Sequence, residues 1–599
     1  MKIRFGIIAG IFLAIFTLYP QMKMLYLRGD DWNGHYAYND IDEVAYASYV
    51  RALIDGRPRK NDPYSGRDNL PETPQPESLF SIQFAAPYAI ALPARLLGIE
   101  TPWAMTLAGA AAGFLAALAA FWLVGMVTGD SWFAMAASLV VFCGGALAAG
   151  EGAIGEILGT GFSYPYFPGF RRYIPAMGFP AFFGMIGLVW KMLQEKSPKY
   201  KVQSPKWIYG ALATLCFAFT VYSYFYIWTT AAAWLACLGA VLIFERPEGF
   251  RRDLKALATL GVAWAVVLLP YAYLLSQRSQ TMDNVQLLVH TRMPDLFRFP
   301  EYISFFVLIL LIIGLAARII NIKERSTLFA VSLTLVPLAI FNQQIITGRS
   351  LQPIHYQVFI GNYVALLALM LTIGILWRRR LNSALTMSKI ACAAIAILAV
   401  IWGFVECHYT VRVLDGANIE RDKALPVARR LEELAKDEAD PHRSTVLAYD
   451  MIQGDDLPSV APQNVLWARH QHIFAGLSRQ ENKERYYQYL YYSNVDEKGL
   501  DYLLKNDFVS MIALFGWGRH SDRLSSYAVP LTYGEIAGEV QMYSAYIAQF
   551  GADDAANPTI SYVVLQNSGA PDLSKLDKWY ERHSGELIGD YTLFKVRLR

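Results

Sequence analysis

Apolar runs of about twenty residues recur along the chain, near 4–27, 101–128, 131–149, 175–193, 208–225, 228–244, 255–275, 302–319, 327–345, 357–377 and 388–405. A helix of that length matches the hydrocarbon thickness of a bilayer, at roughly 20 residues per crossing, and a soluble core has no room for eleven of them. The expectation is a polytopic α-helical membrane protein with about 11 transmembrane helices. The composition agrees, with 54% hydrophobic and 14% aromatic residues. Lys+Arg 53 against Asp+Glu 50 leaves a net charge of +3, so no basic excess marks the chain for nucleic acid. Cys143, Cys216, Cys237 and Cys392 fall inside apolar runs and Cys407 at the end of the last, which excludes a disulfide framework and a paired-cysteine metal site. The N-terminus has the basic start of a signal peptide, but its apolar stretch is long and lacks a small-residue cleavage pattern. It is read as a retained first helix.

Charge sets the topology. "KMLQEKSPKYKVQSPKW", "ERPEGFRRDLK", "RIINIKER" and "WRRRLNSALTMSK" are short and basic, as cytoplasmic loops are. With the N-terminus cytoplasmic, the outer segments are then 28–100, 150–174, 276–301, 343–356 and everything after 406. This parity requires "SLFSIQFAAPYAIALPARLLG" (78–98) to lie along the interface, where Pro87 and Pro93 argue against a straight span. Residues 1–405 thus form the membrane domain, with an acidic first outer loop (28–100), and 406–599 a soluble α/β domain. In the latter, "VARRLEELAKDEAD" reads as a helix and "STVLAYDMI", "FVSMIALFGW", "TISYVVLQ" and "YTLFKVRL" as strands. With "NPT" excluded for its proline, this domain has no glycosylation sequon. That fits the inner membrane of a bacterial cell envelope, with the C-terminal domain periplasmic.

The first outer loop opens "RGDDWNGHYAYNDIDEVAYASYV", placing Asp30, Asp31, Asp40, Asp42 and Glu43 just past the first helix. A carboxylate held at the edge of hydrocarbon has its pKa raised by desolvation, toward what a general base needs. Asp30 and Asp31, nearest the helix, read as solvated interfacial charges. The stretch "DEVAYASYVRALIDGRPRKNDPY" resembles the first outer loop of the GT-C superfamily of integral membrane glycosyltransferases, matching at Asp42, Glu43, Tyr46, Ala47, Gly56, Asp62, Pro63 and Tyr64. The interfacial segment ending "RLLG" and the many helices followed by an outer domain are similar to that family's layout. It looks closest to bacterial members related to protein O-mannosyltransferases and aminoarabinose transferase. The resemblance implies a GT-C-like membrane fold and a sugar carried on a polyprenyl phosphate in the bilayer. It also implies an acidic loop residue as base on the acceptor hydroxyl: Asp42 or Glu43, with Asp40 a close third, and Tyr46 beside them.

A departing lipid phosphate needs cationic donors. "GFSYPYFPGFRRYIPAMGFP" offers Arg171 and Arg172, and "FNQQIITGRSLQPIHYQVF" offers Gln344, Arg349, His355 and Tyr356. The second segment lines a cavity or forms a polar turn at the headgroups, and the two arginines either hold phosphate or snorkel. Glu151 and Glu156 would let the acids share a divalent cation, which is allowed but not predicted, and no other cofactor is expected. The 277–300 loop reads as a gate. The tyrosines of 486–492 read as core packing, and His470 and His472 lack partners at zinc-ligand spacing. The expected function is transfer of a sugar from a polyprenyl-phosphate donor, with inversion, to a glycan, lipid or protein acceptor. The alternatives are a glycolipid transporter or flippase and a non-catalytic envelope assembly protein. The scarcity of charge within the spans and the lack of half-to-half symmetry weigh against transport.

Overall fold

The computed structural model describes residues 1–160, 171–194, 206–285, 288–380, 389–519, 529–569 and 571–599. The chain divides into two compact units. The first gathers Met1–Lys23, Met105–Tyr273 and His290–Val413, and the second Met24–Ala104, Leu274–Val289 and Leu414–Arg599.

Eight helices among the described residues are long and apolar enough to cross a membrane, so the chain is a multi-pass membrane protein. They contain eight of the eleven expected spans. The other three are helices as well, Ser131–Cys143, Gly178–Leu193 and Lys206–Val221, but only 13, 16 and 16 residues long. At 1.5 Å per residue they reach about 20–24 Å, short of the roughly 30 Å hydrocarbon core. Eight of the expected spans thus meet the length of a crossing among the described residues, and the other three fall on these shorter apolar helices. The first of them is followed, after Gly144, by the short helix Gly145–Ala148. The basic loops expected at 191–206 and after 377 lie mostly outside the described residues, as does most of the aromatic stretch before Arg171.

Within the first unit the helices pair by sequence neighbourhood and across it. Gly178–Leu193 packs on Lys206–Val221, Lys389–Val411 on Ser131–Cys143, and Arg325–Asn342 on both Phe225–Glu245 and Asn362–Arg380. The apolar window of Pro353–Arg378 is 89% buried and that of Phe250–Ser276 only 22%, so the former runs through the middle and the latter turns outward to lipid. Polar groups in the helices bond internally, as hydrocarbon demands. The Asn362 amide donates to the Gly145 carbonyl (2.8 Å), and Ser138 to that of Ala117 (2.8 Å).

The second unit is built on a sheet of β1 (Thr445–Ala448), β2 (Asn464–Val465), β3 (Ile560–Gln566), β4 (Tyr580–Arg582), β5 (Glu586–Ile588) and β6 (Tyr591–Leu598). Its order is β2-β1-β3-β6-β4, with β5 also on β6. β1 runs parallel to β2 and β3, and β6 antiparallel to β3, β4 and β5. The Arg479–Tyr492 helix, started by a Ser478/Glu481 capping box, buries Tyr491 and Tyr492 against the sheet and Tyr486 and Tyr487 among neighbouring helices, the packing role expected of that stripe. The expected strand at 508–517 is instead the helix Phe508–Phe515. Asp507 accepts from the Val509 and Ser510 amides, and this cap outweighs the β-like apolar run. Segment 78–98 forms Leu79–Ile82 and the 13-residue Ala85–Leu97, too short to cross, with Leu92, Leu96 and Leu97 exposed.

Candidate active site

The first outer loop and the C-terminal residues belong to one unit, where Asp42 meets one histidine–aspartate pair and His35 of the loop forms a second. Asp40 ends an extended segment and accepts from the Asp42 amide (3.0 Å), a local turn of the kind short acidic side chains make. That turn starts the helix Glu43–Ile54. Asp42 stands at its N-cap without making a cap bond, which leaves its carboxylate aimed elsewhere. Glu43 reaches back to the Asn39 amide (2.9 Å) and the Tyr36 hydroxyl (3.4 Å) and is fully buried. Tyr46, one turn on, packs its ring against Phe80. Asp40 is 1% exposed, whereas the Asp42 side chain is 38% exposed. Of the three candidate bases, Asp42 is the one that opens to solvent.

Behind Asp42 lies His470, its Nε2 3.5 Å from the Asp42 carboxylate and its Nδ1 2.7 Å from that of Asp455. Asp455 also accepts from the His470 backbone amide (3.0 Å), so one carboxylate fixes both ring and main chain. Burial works against a charge on His470. The Asp455 carboxylate and the hydrogen bonds to Asp42 and Asp455 outweigh it and raise the imidazole to about 9. In turn, burial would raise Asp455, but the His470 charge and hydrogen bonds hold it below the usual carboxylate range.

The neighbouring Asp456 repeats the arrangement. His35 Nε2 lies 2.6 Å from it, His35 Nδ1 donates to the Tyr36 carbonyl (2.6 Å), and the Tyr38 hydroxyl donates to Asp456 (2.7 Å). Asp456 too is held low: attraction to His35 and hydrogen bonding overcome the effect of burial. Both acids come from the end of one short helix, Met451–Asp456, started by an Asp450 cap on the Gln453 amide. His35, Asp455 and Asp456 stand in no recognisable motif, and His470 is weighed in the sequence only as a zinc ligand; the signal there is an acidic pair and lone histidines far apart in the chain.

In the first unit, three of the expected phosphate-binding residues come together. Arg171 donates to the Ile174 carbonyl (3.0 Å) and lies 4.6 Å over the Phe359 ring. His355 packs on the same ring, at 5.2 Å, and pairs with the Tyr224 hydroxyl (3.1 Å). The Tyr356 hydroxyl shares a hydrogen bond with Thr229 (2.9 Å), and Tyr226 touches both His355 and Tyr356. Arg172 lies buried with its stem against Gly109, where a Cβ would meet it at 2.6 Å. Because Arg171 and Arg172 are each 1% exposed, snorkelling to headgroups is set aside for both. Gln344 is buried too, donating to the Met293 carbonyl (3.0 Å). Arg349 is exposed. Glu151 is buried, and Glu156 pairs with Arg412. Among the described residues no group of three or more His, Cys, Asp or Glu is placed to hold a metal ion.

No protein-family description matches the chain, and no curated protein does. Similar solved structures exist. An oligosaccharyltransferase from Archaeoglobus fulgidus in the apo form is 11% identical over 96% of this chain and 73% of its own, at a TM-score of 0.47. ArnT from Cupriavidus metallidurans bound to undecaprenyl phosphate is 13% identical over 78% and 88%, at 0.40. The archaeal oligosaccharyltransferase AglB, in complex with an inhibitory peptide and a dolichol-phosphate, is 10% identical over 98% and 74%, at 0.44. At such identities no residue role is carried over from them.

Proposed function

We propose that the protein is a membrane glycosyltransferase that moves a sugar from a polyprenyl-phosphate donor to an acceptor hydroxyl, with inversion and with Asp42 as general base. The observation that carries this reading is the setting of Asp42: a solvent-reaching carboxylate at a helix start, clamped from behind by His470, which Asp455 clamps in turn. Asp40 and Glu43 shape the turn that presents it and do not exchange protons with substrate. Asp42 takes the acceptor proton as the acceptor oxygen attacks the anomeric carbon. The bond from that carbon to the phosphate oxygen breaks, and the lipid phosphate leaves with the electron pair.

Arg171, Arg172, Gln344, Arg349, His355 and Tyr356 are the proposed phosphate-binding residues, and Arg171, His355 and Tyr356 come together within the first unit. The site is read as facing the periplasm across the inner membrane. The reading is tested by identifying the lipid phosphate that co-purifies with the protein and then assaying transfer from its glycosylated form. Asp42→Asn is expected to lower turnover by about 10²–10⁴ while leaving donor retention unchanged. Turnover that survives in a folded Asp42→Asn protein would point to glycolipid transport or a non-catalytic envelope role.

A further inference from the structure

The second unit holds a half-open cavity of about 280 Å³ that none of the proposed chemistry uses. Its walls carry three guanidinium groups, Arg51, Arg95 and Arg429, and three carboxylates, Asp55, Glu100 and Glu432. Two of the arginines already have partners. Arg51 binds Asp55 (2.8 Å) and Glu432 (2.6 Å). Arg429 reaches Glu100 at 3.2 Å, with both side chains well exposed, at 44% and 62%. Such an exposed pair contributes little and exchanges partners readily. Among the described residues, nothing forms a hydrogen bond or ion pair with the Arg95 guanidinium. It lies over Gly56, where a Cβ would meet both terminal nitrogens at 2.8 Å. Gly56 has φ +91, so the chain there favours glycine and leaves that surface bare for the arginine.

The depth of the cavity is set by its neighbours. Thr101 and Pro102 line it and are also the first two residues of a membrane-spanning helix, Thr101–Thr128. Trp103 follows and meets Trp32 edge-on at 6.2 Å, an aromatic pair of the kind that sits at the headgroup level. The helix that supplies Ala94 and Arg95 exposes Leu92, Leu96 and Leu97, at 51%, 84% and 73%. A cavity at headgroup depth, with a free cation, a loosely held cation–anion pair and an apolar shoulder on the same helix, suits a ligand that is itself lipid, anionic at one point and cationic at another.

We propose that this cavity binds the headgroup of a zwitterionic phospholipid of the phosphoethanolamine type, distinct from the isoprenoid donor. The phosphate sits between Arg95 and Arg429, and the primary ammonium replaces Arg429 as the partner of Glu100. Its three N–H donors favour it over a trimethylated ammonium, which has none. The acyl chains run along Leu92, Leu96 and Leu97. The volume admits a headgroup.

The test uses the full chain, delipidated in detergent, with dioleoyl phosphatidylethanolamine, phosphatidylglycerol, phosphatidylcholine and a polyprenyl phosphate as separate probes. Retained lipid is read by native mass spectrometry. Phosphatidylethanolamine is expected to be retained at least tenfold more than the other two phospholipids, with that preference lost in Arg95→Ala and in Glu100→Gln. Both residues lie at the surface, and an unchanged elution volume and melting temperature confirm that the variants fold. Equal or greater retention of phosphatidylglycerol or phosphatidylcholine would overturn the proposal, as would a preference that survives both substitutions. Competition by the polyprenyl phosphate that disappears in Arg95→Ala would also overturn it, by giving the cavity to the donor. The readout is lipid retention, so the result stands whichever way the transferase assay falls.

Discussion

Asp42, His470 and Asp455 form a chain of alternating charge in which only the first member reaches solvent, and that makes the middle one titrate usefully. The imidazole is raised to about 9 in the folded protein, against about 6.5 in an unfolded chain. Below about pH 6.5 it is protonated in both states and the network stabilises fully. Between there and about 9 the folded form keeps a proton that the unfolded form has given up, so the stabilisation drains away as pH rises. The span corresponds to about 3 kcal/mol. The melting temperature of the wild-type protein is therefore expected to fall steadily from pH 6.5 to 9. His470→Gln should flatten that part of the profile, and an equally steep decline in the variant would show that His470 is not the titrating group. The acids of this site were legible in the sequence, because five carboxylates beside a first helix are out of the ordinary and the loop resembles a known class. His470 was not. A lone histidine acquires meaning only from the carboxylates that folding brings to it, and neither Asp42 nor Asp455 stands at a spacing that announces the contact.

Elements were read well where a period was sustained and poorly where a short apolar run was left to decide between helix and strand. All eleven expected spans fall on helices, and three of the four expected C-terminal strands fall on β1, β3 and β6. The fourth, Phe508–Phe515, is a helix because its first turn is satisfied by a side chain. Asp507 accepts from two amides that would otherwise lack partners, and the buried face of Val509, Ile512 and Ala513 follows a helical period of three and four. Asp507→Ala is expected to destabilise the second unit by about 1 kcal/mol, the usual worth of an N-cap. Thermal unfolding checks this, and Asp507→Asn, which keeps an accepting oxygen, should recover most of the loss. If alanine and asparagine behave alike, the cap is not what selects helix here.

At the scale of the whole molecule, residues 24–104 and 414–599 share one compact unit although a membrane domain separates them in sequence. Composition placed the soluble domain after the last span, because polarity is a local signal, whereas the burial that joins the first outer loop to the C-terminal residues is long-range. Phe80 stacks on Phe474 at 4.3 Å, Tyr49 and Tyr64 touch the same ring, and Tyr38 is 1% exposed. The Val465 amide of the edge strand β2 donates to the Tyr64 carbonyl (2.9 Å), so the loop also covers an open sheet edge. Asp422, at 0% side-chain exposure, takes its cation from Arg28 (2.8 Å) and two further bonds from the Asn33 and His35 amides. At roughly 1.5–3 kcal/mol for each large apolar side chain buried, these five rings are worth about 10 kcal/mol, comparable with the whole stability of a typical domain at about 5–15 kcal/mol. Residues 414–599 expressed alone are therefore expected not to fold, giving collapsed near-ultraviolet circular dichroism and an amide spectrum without dispersion. Joining residues 28–100 to them through a flexible linker should restore both. A cooperative, well-dispersed 414–599 on its own would mean that the first outer loop is a passenger on that unit, and Asp42 would then lose the rigid support on which its proposed role depends.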